Sequence, residues 1–181
     1  DLFKYYKYAT NSLKAVMADP DVSTKVKTEK IYEVSKGVMK EFFDNNTSEK
    51  ILETSEEVME MMEECITTAE AGFHGIAAIT SKDYYTYTHS VNVGLYCMTF
   101  GVKSEMSKND IKQLSLGGML HDVGKSKIEH SLINKDGKLT DEEFEAMKAH
   151  ATEGEKILSG MNCFGGNVVR MAVEHHEKFK G

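Results

Sequence analysis

Seven histidines are spread along the 181-residue chain, and five of them, with one aspartate, have the types and spacing for metal chemistry. The stretch LGGMLHDVGKSKIEH, residues 116–130, is an apolar run that ends in His121 beside Asp122. Burying a carboxylate next to an imidazole is costly unless something pairs with them. Either the pair sits at a solvated helix end, or it holds a cation. His89 follows Tyr85 by four residues and precedes Val93 by four, which puts it on their helical face. His121 lies one turn beyond Gly117 and Gly118, small enough to admit a second helix. His150 continues the face of Phe144 and Met147, and His175 and His176 end the apolar-periodic run VVRMAVEHH. All five are expected to point inward. Taken singly, each reads as a hydrogen-bonded core histidine, the reading that His74 and His130 keep. As mutual neighbours without metal they would be poorly solvated, and each protonation would repel the next. A divalent cation removes the conflict, because neutral imidazole and carboxylate are its ligands. A bridging Asp122 could hold two cations within about 4 Å, an arrangement that clamps both oxygens of a phosphoryl displacement.

These side chains need helices to carry them. One proline and few β-branched runs point to an all-α protein, with helices expected near 3–18, 22–44, 48–70, 83–100, 107–121, 140–150 and 166–178. Thr140 with Glu143 forms a capping box ahead of DEEFEAMKAH, Ser107 with Asp110 a weaker one, and NKDGK at 134–138 reads as a turn. In the helix near 48–70, Glu53, Glu56, Glu57, Glu60, Glu63 and Glu64 oppose Ile51, Val58, Met62, Cys65 and Ile66. That is either a solvated face over a packed stripe or a signalling or dimerisation helix. A boundary is expected near 71–82, dividing a helical N-terminal region (1–80) from a second domain (81–181).

Composition excludes several classes. No run of about 18 apolar residues spans a membrane and nothing resembles a signal peptide, so a soluble, cytoplasmic protein is expected. Cys65, Cys97 and Cys163 lack metal-type spacing and read as thiols of a reducing compartment. The net charge of −7 argues against broad DNA binding. It is uneven, −6 over residues 1–80 and −1 over 81–181, so the second part is less hostile to an anionic substrate. Beginning at Asp1 suggests a piece of a longer chain.

HDVGK (121–125), preceded by YTHSVNV and followed by LINKDGKLTDEEFEAMKAHATEGEKIL and AVEHHEKFKG, resembles the HD-GYP subgroup of the HD phosphohydrolases over residues 83–181. The resemblance implies an HD-type helical bundle with a two- or three-metal site that hydrolyses cyclic di-GMP to pGpG and/or GMP in bacterial second-messenger signalling. It implies that His89, His121, Asp122, His150, His175 and His176 are metal ligands, with Fe or Mn as the two divalent transition metals. It also implies that Asp122 and Lys125 are catalytic, Lys125 facing the substrate phosphate. Partners so implied are the cyclic dinucleotide and a diguanylate cyclase or upstream sensor domain, with a homodimer left open. Rival readings are hydrolysis of another cyclic dinucleotide or nucleotide, and a catalytically silent interaction module.

Three features depart from the subgroup's pattern. Tyr85 stands where some members place a glutamate for a third metal, and Asp83 lies on another face, so no more than two metals are expected. Glu129 and Asp136 replace prolines in the loop after the HD pair, which implies a more flexible loop. The sequence stops just before the Gly-Tyr-Pro stretch and the later helix with its aspartate ligand.

Overall fold

A computed structural model describes residues 2–44, 49–68, 86–161 and 164–178, with side chains described except at 2–6, 49–53, 55, 65–68 and 86. The described residues form eight α-helices and one 3-10 turn, with no strand among them, as the all-α expectation requires. The helices are α1 (Leu2–Ala18), α2 (Thr24–Asp44), α3 (Glu49–Thr68), α4 (Thr86–Lys103), α5 (Lys108–Leu120), α6 (His130–Ile133), α7 (Asp141–Gly160) and α8 (Gly166–Glu174). The 3-10 turn, Val123–Lys127, links α5 to α6. The expected boundary at 71–82, His74, Asp83, Tyr85 and Cys163 lie outside the described residues, as does the side chain of Cys65. None of the described helices is long and apolar enough to cross a membrane.

One apolar core runs through the bundle, from Leu13, Ile31, Met39 and Phe42 of the first two helices, through Val58 and Met62 of α3, to Leu95, Met119, Leu120, Leu158 and Ala172. Methionine is well represented because an unbranched thioether fills irregular gaps between helices. The acidic face of α3 is not wholly given to solvent. Lys112 of α5 reaches Glu56 at 3.3 Å and Glu60 at 3.7 Å, and Lys14 of α1 reaches Glu57 at 2.9 Å. These exposed pairs register helices more than they stabilise them.

Helix starts follow the expected chemistry. Thr140 accepts from the Glu143 amide at 3.2 Å, and the Glu143 carboxylate accepts from the Thr140 amide at 2.7 Å. Ser107 caps α5 by accepting from the Asp110 amide at 3.2 Å. The turn at 134–138 places Gly137 at φ +94°, where a side chain would be strained. Three boundaries differ from expectation. The helix expected to stop at 150 continues to Gly160, because its second half is packed against the 3-10 turn and the last helix. The last helix ends at Glu174, with His175 as its C-cap. The 3-10 turn and α6 lie where only a loop was foreseen.

Candidate metal centre

α4 and α5 lie side by side and carry the first group of candidate ligands. Their approach depends on small residues. A Cβ on Gly94 would lie 3.1 Å from the Ser115 carbonyl oxygen, and one on Gly118 would lie 2.7 Å from the Cys97 sulfur. α5 then stops at Leu120. Adjacent residues of a continuous helix point about 100° apart. The chain avoids this by leaving the helix at Asp122 (φ −99°, ψ 8°), which lets His121 and Asp122 face the same point.

The second group comes from α7 and the end of α8. α7 crosses the 3-10 turn so closely that Gly124 has no room for a side chain: an added Cβ would meet the carbonyl oxygen of His150 at 1.8 Å. α8 packs on both α5 and α7, with Met171 over Gly117 and Ala172 in the core. His150 is therefore brought over Asp122 by main-chain contact.

Asp122, 2% exposed, is the centre of the arrangement. Its Oδ2 lies 3.2 Å from His121 Nε2 and 3.9 Å from His89 Nε2. Its Oδ1 lies 3.6 Å from His150 Nε2 and 3.7 Å from His175 Nε2. Each carboxylate oxygen thus faces its own pair of imidazoles. Two clusters could each hold a metal ion: His89, His121 and Asp122, and His150, His175 and His176. Lys125 reaches Asp122 Oδ2 at 2.7 Å from the mouth of the site.

Ring orientation suits metal binding. Nδ1 of His121 lies 2.6 Å from the Gly118 carbonyl, Nδ1 of His150 2.6 Å from the Met147 carbonyl and Nδ1 of His175 3.0 Å from the Ala172 carbonyl. A proton on each Nδ1 satisfies these carbonyls and leaves the Nε2 lone pair free, the arrangement in which imidazole binds metals. His150 Nε2 and His175 Nε2 are only 3.2 Å apart, two lone pairs that a cation between them would relieve.

The electrostatics point the same way. Burial opposes the Asp122 carboxylate, but hydrogen bonding and charge from His121 and then Lys125 overcome it and hold the group ionised far below the usual range. Burial lowers His150, and burial with the charges of His176 and His121 lowers His175 to about 4. Burial and then His121 lower His89. His121 moves up: burial pulls it down, but the hydrogen bond and charge of Asp122 outweigh that. An ionised aspartate among mostly neutral imidazoles is the donor set of a divalent transition metal.

The structure brings together all seven residues singled out from the sequence, but two do not point inward as expected. His89 keeps 54% of its side chain exposed and His176 is also exposed, because they form the rim through which the centre opens to solvent. Phe144 is 52% exposed and shares no buried face with His150: the first turns of α7 project beyond the bundle against α6. His130 is an exposed residue of α6, 2.6 Å from the Asn134 amide group. Sequence reasoning passed over Gly124 and Gly154, whose only signal was glycine beside the HD pair and glycine inside a helix.

A family model described as the HD domain matches residues 86–181, just over half of the chain. The chain is 32% identical to a cyclic di-GMP phosphodiesterase of Pseudomonas aeruginosa over 106 residues, 59% of this chain and 26% of that protein. It is 36% identical to a 3'3'-cGAMP-specific phosphodiesterase of Vibrio cholerae over 118 residues, 65% of this chain and 24% of that protein. A cyclic di-GMP phosphodiesterase of Thermotoga maritima is 35% identical over 104 residues, 55% of this chain and 27% of that protein. The aligned part thus spans about a quarter of each of these relatives. No solved structure matches it.

Proposed function

This chain belongs to the HD domain family, and from that premise we propose that it is the metal-dependent phosphodiesterase part of a protein that hydrolyses a cyclic dinucleotide. The observation that carries the reading is the division of Asp122, Oδ2 toward His89 and His121 and Oδ1 toward His150 and His175. We assign His89, His121, Asp122, His150, His175 and His176 as ligands of two divalent metals, with Fe or Mn suited to a set of imidazoles and one carboxylate. Two metals so held supply Lewis-acid charge at a phosphoryl oxygen and a water activated at neutral pH.

The chain's own residues do the remaining work. The carbonyls of Gly118, Met147 and Ala172 fix the rings of His121, His150 and His175 before any substrate arrives. Lys125, a quarter exposed at the mouth, presents an ammonium that can donate to a non-bridging phosphate oxygen as negative charge develops there. The exposed edges of His89 and His176 leave the centre open to an extended phosphodiester. Opening one phosphodiester of cyclic di-GMP gives linear pGpG, and a second cleavage gives GMP.

The test incubates the full-length protein with Mn2+, or with Fe2+ under reducing conditions, and supplies cyclic di-GMP and 3'3'-cGAMP in parallel. The second substrate is included because the cGAMP-specific relative is as similar as the cyclic di-GMP enzymes. Linear dinucleotide from either supports the assignment. Lys125→Ala should keep the metal and lower kcat about 100-fold, the usual loss for one transition-state donor. Metal-loaded protein that turns over neither substrate would replace the enzyme with a nucleotide-binding or cyclase-binding module.

A further inference from the structure

The α2 helix lies outside the matched HD segment, yet it packs against both halves of the first ligand cluster. It touches α4, which carries His89, and the 3-10 turn, which carries Lys125 and follows directly on Asp122. At the α2–α4 contact the hydroxyl of Tyr32 donates to Asn92 Oδ1 at 2.7 Å. Tyr32 is 2% exposed, and the Lys36 ammonium sits 5.0 Å from its ring centroid. Asn92 is three residues beyond His89, so the bond holds α4 one turn from that ligand.

His89 needs such a hold. It stands in the first turn of α4, where helix ends fray, and its Nε2 lies 3.9 Å from Asp122 Oδ2, against 3.2 Å for His121 on the same oxygen. The tight glycine contact between α4 and α5 at Gly94 comes later along the helix. His121, by contrast, is held by the Gly118 carbonyl, and the His150 side by the backbone contact at Gly124. Among the described residues, His89 thus lacks the ring-to-carbonyl bond that holds His121, His150 and His175.

We propose that Tyr32 is a positioning residue for the metal centre. Its bond to Asn92 sets α4, and with it the gap between His89 and Asp122, so that the N-terminal helices tune one ligand cluster and leave the other alone. The inference rests on the metal-centre reading above. A movement imposed on α2 from elsewhere in the protein would reach the centre by this route.

The test is a Mn2+ titration of the full-length protein, following free Mn2+ by its paramagnetic resonance, with wild type, Tyr32→Phe, Asn92→Ala and the double variant. Outer-shell partners of metal ligands are typically worth about 10- to 100-fold in affinity, and this residue acts one step further out. Tyr32→Phe should therefore weaken one Mn2+ site about 3- to 10-fold and leave the other within about twofold. The double variant should lose no more than Tyr32→Phe alone, since both remove the same bond. His89→Ala should abolish the affected site and His176→Ala the unaffected one. Wild-type affinity at both sites in Tyr32→Phe, or equal weakening of both, overturns the inference while leaving the metal centre standing. A wild-type protein that binds no Mn2+ overturns the metal centre and the inference with it. If Tyr32→Phe fails to fold by circular dichroism, the half-buried Asn92→Ala decides by the same criteria.

Discussion

At Gly124 a single added methyl group would fall 1.8 Å from the carbonyl oxygen of His150, 2.5 Å from the amide nitrogen of Gly154 and 2.8 Å from the His150 carbonyl carbon. All three are backbone atoms of α7, so no side chain can swing away. Reaching even 3.0 Å, about the closest that real Cβ atoms come, requires the 3-10 turn and α7 to part by about 1.2 Å. Overpacking of this kind costs about 1–3 kcal/mol, and a backbone-on-backbone clash belongs at the upper end. For a chain of this size 1 kcal/mol moves Tm by about 2–4 °C, so Gly124→Ala should lower Tm by about 6–12 °C. The same separation draws His150, a member of the second ligand cluster, away from Asp122, which it approaches at 3.6 Å. The variant should therefore also bind metal more weakly at His150, His175 and His176. Thermal unfolding of the metal-free protein and a Mn2+ titration read the two effects separately. Gly160→Ala is the control, because nothing lies within 4 Å of its added Cβ, and it should be neutral or slightly stabilising. A Gly124→Ala protein with Tm and metal binding equal to wild type would refute the steric argument.

Asp122→Ala should remove metal from both clusters, whereas His176→Ala should remove it from one, and elemental analysis of the two proteins measures the difference. The metal-free protein should lose stability on acidification from about pH 6.5 toward 4. The depressed histidines His175, His150 and His89 keep their stabilising effect above the unfolded-state value and lose it as pH falls. His121, raised, works in the opposite sense but is one group against three. Tm against pH with and without Mn2+ checks this, and a metal-free protein equally stable at pH 7 and pH 5 would contradict it. Thr140→Ala should cost about 1 kcal/mol, or about 2–4 °C, through loss of the capping box, read by thermal unfolding.

The candidate ligands were legible as a group because metal chemistry narrows the choice of side chains. Imidazoles and a carboxylate on apolar helices have few inexpensive explanations, and the sequence showed them in groups. What was not legible was the direction in which each points. His89 and Phe144 both sit at helical spacing with apolar residues, yet both are half exposed, because periodicity describes one helix and burial depends on which others cover it. The length of α7 was misjudged for a related reason. The helix runs ten residues past the expected end at 150, and what it packs against, the 3-10 turn and α8, lies elsewhere in the sequence.

The same logic explains why the centre has its form. Two clusters of candidate ligands around one carboxylate require residues from α4, α5, α7 and α8 to converge within a few ångströms, and side-chain packing alone leaves play between helices. The chain removes that play with backbone contacts at glycine on the His150 side, and with ring-to-carbonyl bonds at His121, His150 and His175. On the His89 side glycine contacts at Gly94 and Gly118 also join α4 to α5, and a side-chain hydrogen bond from α2 is added to them. A glycine contact is fixed, whereas a tyrosine–asparagine bond can be made or broken at modest cost. If one half of the centre responds to a signal arriving through the N-terminal helices, it is therefore the half that holds His89.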